Sequence, residues 1–322
     1  MMKKYISMAM VAIAAFTFCG CSNEDIQIDR NTVVSIQPSS VISPFKKQDN
    51  NELQTLADTK FKLRTTLLIY DKEGVLVESA TEYLENYLSM MRKNINLPDG
   101  TYTMIAITNV VEKVGSNISR EIWKIENTST IGNLKIEYQE VDPNDEFIYQ
   151  RAILGIGKQI VTIAPQKTEI TIKPEPAGSL IRMVYKGIHK FETSDNITQL
   201  GMAIDIVPDR LSFDGNGNPI SSTRKSSYPV LTSGPTPINY RYIDLFKTTS
   251  QSMNGIDERV TYFFAFPPTE GTINFRAVYT GKLKSPITCN LVNASEYEIM
   301  FDLTSANKIA DVIPTIEEIK FN

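Results

Sequence analysis

The chain has 322 residues, 33 of them basic and 37 acidic, for a formal net charge of −4. A mildly acidic chain with no long basic stripe excludes a nucleic-acid phosphate backbone as its partner. Hydrophobic residues at 42% and charged residues at 22% exclude a disordered or fibrous protein, and the length suits about two domains.

Residues 1–20 read as a signal peptide. Lys3 and Lys4 form a positive start, and Ile6 to Phe18 an apolar run. That run falls short of the ~20 residues a spanning helix needs. Gly20 is small and precedes Cys21. A small residue before Cys at the end of such a run resembles a lipoprotein signal, which makes Cys21 the expected lipidation site and the new N-terminus. Two or three acyl chains on that residue would anchor the chain stably where one is marginal. Ordinary cleavage nearby, releasing a soluble protein, is the alternative. Removing residues 1–20 takes away Lys3 and Lys4 and no acid, leaving 31 basic residues against 37 acidic. Ser22, Asn23, Glu24 and Asp25 follow; this run resembles the tag that exports Bacteroidales lipoproteins to the outer face of the outer membrane. With Cys21 acylated, Cys289 is left a lone thiol, read as a small hydrophobe in a strand. No disulfide framework is possible.

Residues 21–58 are expected to be a polar tether with one early strand near Thr32 to Gln37. From Lys60 the period is two, with Phe61, Leu63, Thr65, Leu67 and Ile69 on one side, which predicts a half-buried strand. Asp71-Lys-Glu-Gly74 is a hairpin turn. In residues 80–93, Leu84, Tyr87, Leu88 and Met91 stand at i, i+3, i+4 and i+7, which predicts a short helix. Strands are expected at 102–108, 133–139, 147–154, 159–164 and 168–173. Pro174 and Pro176 interrupt ladder bonding, so the domain junction is placed there. The second half restarts at Gly178 to Tyr185, with strands near 198–207, 237–244, 259–266, 272–280, 296–303 and 315–321. Residues 208–236, rich in Ser, Pro, Gly and Asn, read as a long loop.

This pattern predicts an all-β protein of two tandem β-sandwich domains with a short helix in the first. The domains are 59–173 and 177–322, preceded by the signal peptide 1–20 and the tether 21–58. Catalytic constellations are missing. His189 is the single histidine, no Gly-x-Ser-x-Gly elbow occurs, and no Cys or His cluster has zinc spacing. No cofactor and no metal are expected. Asp214-Gly-Asn-Gly-Asn218 opens like a calcium loop, but Pro219 and Lys225 stand where Gly and Glu are required. Asp142, Asp145 and Glu146 read as a solvated turn. Trp123 is the only tryptophan, and most Tyr and Phe fall at alternating strand positions, so packing accounts for them first.

Taken in order, the lipoprotein start at Cys21, Thr66-Leu-Leu-Ile-Tyr-Asp71 with Glu73-Gly74, Leu97-Pro-Asp-Gly-Thr-Tyr-Thr103 leading to Asn109, and Pro176-Ala-Gly-Ser-Leu-Ile-Arg182 resemble the fimbrillin-associated anchor family of Bacteroidales. The resemblance covers most of residues 21–322. It implies transthyretin-like sandwiches and a non-catalytic fimbrial anchor or minor subunit on the outer membrane. Its partners would be other fimbrial subunits, joined by β-strand exchange. The candidate exchange elements are the early strand at Val33 and Val34 and the terminal strand with Ile316, Ile319 and Phe321. Polymerising relatives are trimmed after an Arg near the early strand; Arg30 and Arg64 are the candidates here. A surface glycan-binding lipoprotein is the alternative function.

Overall fold

A computed structural model describes residues 31–38, 61–85, 89–139, 153–166, 168–187, 200–205, 208–222, 230–231, 238–244, 250–253, 256–267, 273–279, 282–283, 287–290, 295–305 and 315–320. Among them the regular structure is almost entirely strand. The first half carries β1 (Asn31–Ile36), β2 (Phe61–Tyr70), β3 (Leu76–Leu84), β4 (Met91–Asn96), β5 (Gly100–Val114), β6 (Asn117–Glu121), β7 (Trp123–Glu126), β8 (Lys135–Tyr138), β9 (Leu154–Ile163), β10 (Glu169–Ile172) and β11 (Glu175–Pro176). The second half carries β12 (Ser179–Lys186), β13 (Leu200–Asp205), β14 (Arg210–Phe213), β15 (Pro219–Ser222), β16 (Val230–Leu231), β17 (Ile238–Asp244), β18 (Ser250–Met253), β19 (Ile256–Ala265), β20 (Ile273–Tyr279), β21 (Lys282–Leu283), β22 (Ile287–Cys289), β23 (Ser295–Asp302) and β24 (Thr315–Lys320). The all-β sandwich expected from the sequence is what the chain forms.

The first half is three layers deep. Its middle sheet runs β11-β9-β5-β2-β3, with β6 pairing the far end of β5. Side chains alternate across a strand, and here both faces are apolar. Leu67, Ile69, Met104 and Ala106 face the sheet β10-β1-β4, which contributes Val34, Ile36, Met91, Ile95, Ile170 and Ile172. Leu68, Tyr70, Ile105 and Ile107 face the opposite way, onto the sheet β15-β14-β8-β7 and its Trp123, Ile136, Tyr138, Leu211 and Phe213. The half-buried reading of β2 is corrected accordingly: as a central strand of a middle layer it is covered on both sides.

Two further expectations change. The helix at 80–93 does not form. Ala80 to Leu84 continue β3, Met91 to Lys93 open β4, and Tyr87 and Leu88 lie outside the described residues. The helical spacing arose from two strands read across their link. Met91 is buried because it stands opposite Ile36 on β1, not because it shares a helix face with Leu84. The expected loop at 208–236 contains β14, β15 and β16. Asp214-Gly-Asn-Gly217 closes a hairpin in which Phe213 stands opposite Pro219.

β14 and β15 follow the Pro174–Pro176 segment in sequence, yet β14 pairs with β8 from before it. Phe266, just past β19, packs against Trp123 with ring centroids 4.9 Å apart. The Ser221 hydroxyl donates to the Pro267 carbonyl at 2.9 Å. The second half supplies two larger sheets, β18-β19-β12-β23-β24 and β16-β17-β13-β20-β21, the latter with β22 on β20. In β23, Tyr297, Ile299 and Phe301 are buried in the alternation expected of them.

Candidate functional site

The two candidate exchange strands occupy opposite kinds of position. β1 is the centre of its sheet, antiparallel to β4 and parallel to β10. Asn31 stands opposite Asn96 and Ile36 opposite Met91; on the other edge Val33 meets Glu169 and Ile36 meets Ile172. The Val33 amide donates to the Thr168 carbonyl at 2.8 Å and the Gln37 amide to that of Ile172 at 3.0 Å. Val34 is 1% exposed and Val33 5%. Both edges and the inward face of this strand are therefore satisfied by its own chain.

Among the described residues β24 is the outer strand of its sheet and pairs only with β23, from Ser295 opposite Lys320 to Met300 opposite Thr315. Thr315, Glu317 and Glu318 are exposed and Ile316 is half-buried. The Ser295 hydroxyl donates to Glu318 Oε1 at 3.3 Å. Glu298 and Glu317 stand directly opposite each other. Ile319 lies in the strand, while Phe321 falls outside the described residues, as do Cys21, Ser22, Asn23, Glu24, Asp25, Arg30, His189 and the Asp142–Glu146 cluster. Cys289 ends β22 opposite Ile273.

Arg64 is 8% exposed in the middle of β2. Its guanidinium donates to Asn109 Oδ1 at 3.1 Å and to the Trp123 carbonyl at 3.0 Å, and pairs with Glu121 at 2.8 Å. Asn109 also donates to the Trp123 carbonyl at 3.2 Å. This node ties β2, β5 and β7 together. The sequence marked Asn109 and Trp123 separately; only the pairing of Arg64 with Asn109 across β2 and β5 joins them.

Two turns at one end of the first half are near copies. In each, an Asp opens a tight turn closed by a glycine at positive φ, +77° for Gly74 and +76° for Gly217. Asp71 Oδ1 accepts the amides of Glu73 at 3.0 Å and Val75 at 2.8 Å. Asp214 Oδ1 accepts those of Asn216 at 2.9 Å and Asn218 at 2.8 Å. A Cβ on either glycine would come within 2.8 Å of Ile131, which sits between the two turns. Lys158 Nζ donates to the Asn216 carbonyl at 3.0 Å and to Asn218 Oδ1 at 2.6 Å. An ammonium thus lies beside the loop that resembled a calcium site. The Asn218 backbone amide, then its side-chain amide, the Asn216 amide and Lys158 hold the Asp214 carboxyl below its usual range. Burial pushes the Tyr70 phenol up, and its hydroxyl has no hydrogen-bond partner. Among the described residues no group of three or more His, Cys, Asp or Glu could hold a metal ion, and no helix is long and apolar enough to cross a membrane.

Solved structures share the fold of stacked sheets. A Bacteroides thetaiotaomicron structure with a proposed assignment to polysaccharide binding covers 90% of this chain and 98% of its own, at 12% identity and a TM-score of 0.52. A proposed adhesin from Bacteroides ovatus covers 90% and 95%, at 10% identity and 0.52. The fimbrial anchor protein Mfa2 from Porphyromonas gingivalis aligns over 91% and 100%, at 10% identity and 0.44. No curated protein matches in sequence. The model of the fimbrillin-A associated anchor proteins Mfa1 and Mfa2 matches residues 50–316, and the chain belongs to that family.

Proposed function

We propose that this chain is a non-catalytic lipoprotein of the outer membrane, held by acyl chains on Cys21, that anchors a fimbrium by β-strand exchange. The family match over residues 50–316 carries the fimbrial part of this reading. The contrast between β1 and β24 gives the exchange its direction. A strand with both edges paired and its inner face in the core fills its own sheet. A strand on an open edge, with exposed Glu317 and Glu318, is the one available to a partner. β1 therefore stays in place in the anchor, and β24 is the strand that meets the next subunit. The domain division at 59–173 and 177–322 belongs to the same proposal. The β15-β14-β8-β7 sheet then acts as the joint between the two domains.

Trp123, the side chain best suited to stack on a sugar, is 1% exposed, so the glycan-binding alternative gains nothing from it. The test is mass spectrometry of the N-terminal peptide from native membranes beside sheared fimbriae. Acylated Cys21 on the cell-bound chain is the expected result. A chain starting at Asn31 or Thr65 in the sheared fibres would replace this reading with that of a polymerising subunit.

A further inference from the structure

The strand ladders of the first half define two ends. β1 enters at Asn31, beside Asn96. The connection Leu97–Asp99 then leads into β5, where the Tyr102 hydroxyl donates to the Pro98 carbonyl at 3.0 Å. β9 finishes at this same end, with Ile163 opposite Gly100, and the Asp71 and Asp214 turns lie there too. The chain leaves toward the second half from the other end, through Ile172 to Pro176. Cys21 is ten residues before Asn31, a tether that spans at most about 35 Å when extended. The end at which β1 begins is therefore confined near whatever surface holds Cys21.

That end is also where exposed apolar side chains gather. Six large hydrophobic residues are exposed among the described residues: Val75, Val77, Met90, Val114, Ile160 and Ile220. Tyr70, Leu76, Thr103 and Ile160 form one lateral row near the β1 entry. Val75 and Val77 flank Leu76 in that row. Ile220 follows the Asp214 turn by two residues beyond Asn218. Four of the six thus lie at the tether end, with Ile160 57% exposed, and only Met90 and Val114 lie toward the other end. Scattered single apolar residues need no account, but a gathering at one end marks an interaction surface. Exposed Glu73 and Asp99 stand at this end as well, with Lys72 beside Glu73. Asp71 and Asp214 spend their carboxylates on their own turn amides, and Lys158 adds a positive charge beside Asp214.

Resting on the lipid anchoring proposed above, we infer that the tether end of the first half docks on the bilayer surface that holds Cys21, with Val75, Val77, Ile160 and Ile220 as its apolar contacts. The anchor then stands upright on the membrane, and its second half points away from the cell. A single acyl tether would leave the orientation free; four apolar contacts and a short tether fix it.

The test uses the full chain on cells, in a Cys289→Ser background, with single cysteines introduced as Val77→Cys, Ile160→Cys and Val114→Cys. A membrane-impermeant maleimide is applied before and after detergent extraction. The expected result is severalfold slower labelling at positions 77 and 160 on cells, restored by detergent, with position 114 labelled equally in both. Equal labelling at all three positions on cells overturns the docking. Protection that survives detergent also overturns it, because the cover is then protein. N-terminal mass spectrometry of the same samples separates the two failures. Acylated Cys21 without protection sinks the docking alone, whereas an unacylated chain without protection sinks the anchoring and the docking together.

Discussion

β1 and β24 are both short strands near the ends of the chain, and they are held by different physics. β1 pairs along both edges and sends Val34 and Ile36 into the core between two sheets. β24 pairs along one edge, exposes Glu317 and Glu318, and only half-buries Ile316. Position in a sheet therefore decides whether a terminal strand is fixed or available. Each ladder side and each buried apolar side chain adds to what must be given up before the strand can leave.

The sharpest way to break that contrast is to place a charge in each strand. Val34→Asp would leave a carboxylate unpaired in the core, at a cost of roughly 4 kcal/mol or more. Ile316→Asp, on a half-buried edge, is expected to cost about 1 kcal/mol. Denaturant unfolding of both variants measures the difference, and equal losses would mean that β24 is held as firmly as β1.

Arg64 sharpens the same point from the side of proteolysis. Removing its guanidinium would strip Glu121 of its cation and Asn109 Oδ1 of a donor and leave the Trp123 carbonyl with the Asn109 amide alone, so Arg64→Met is expected to cost about 3 kcal/mol. In the native chain those contacts and its central place in β2 keep the bond after Arg64 from a protease. Limited digestion with an arginine-specific protease should yield no fragment beginning at Thr65. Such a fragment from folded protein would show that β1 can be severed there.

A milder probe compares the strands by cavity. Ile36→Ala is expected to cost about 3 kcal/mol and Ile316→Ala under about 1 kcal/mol. Thermal unfolding of the pair checks the ratio, and a ratio near one would remove the reason for naming β24 as the exchange strand.

How much of this was visible beforehand depends on the range of the interaction. Clean alternation at Tyr297, Ile299 and Phe301 gave a strand correctly, because period two is a local signal. β2 looked half-buried because polar Lys62, Arg64 and Thr66 alternate with Phe61, Leu63 and Leu67. Only the partners Asn109, Glu121 and Trp123, all far along the chain, reveal that Arg64 is covered. The helix at 80–93 failed for a related reason, since apolar spacing does not say whether neighbours share one element or stand on two. The stretch at 208–236 read as a loop because β14 and β15 within it are only four residues each and owe their place to pairing with β8 and to Leu211 and Phe213 in the core. Val33 and Val34 were singled out as an exchange candidate on resemblance. Nothing local showed that β1 lies between β4 and β10, because both ladders join residues tens to more than a hundred positions apart.

The smallest effect tests the edge itself. Glu298 and Glu317 stand opposite each other across β23 and β24, and like charges in that relation weaken a strand pair. Glu298 is 5% exposed, so solvent screens it less than it screens Glu317. Glu317→Lys turns the pair attractive and is expected to tighten β24 by about 0.5 kcal/mol, roughly a twofold slowing of amide exchange along the strand. If β24 is the strand that meets the next subunit by exchange, the same change should slow fimbrial assembly on cells while leaving Cys21 acylation untouched. Faster exchange in Glu317→Lys would mean that the Glu298 carboxylate is already neutralised within its own sheet. The looseness of β24 would then come from its missing outer ladder alone.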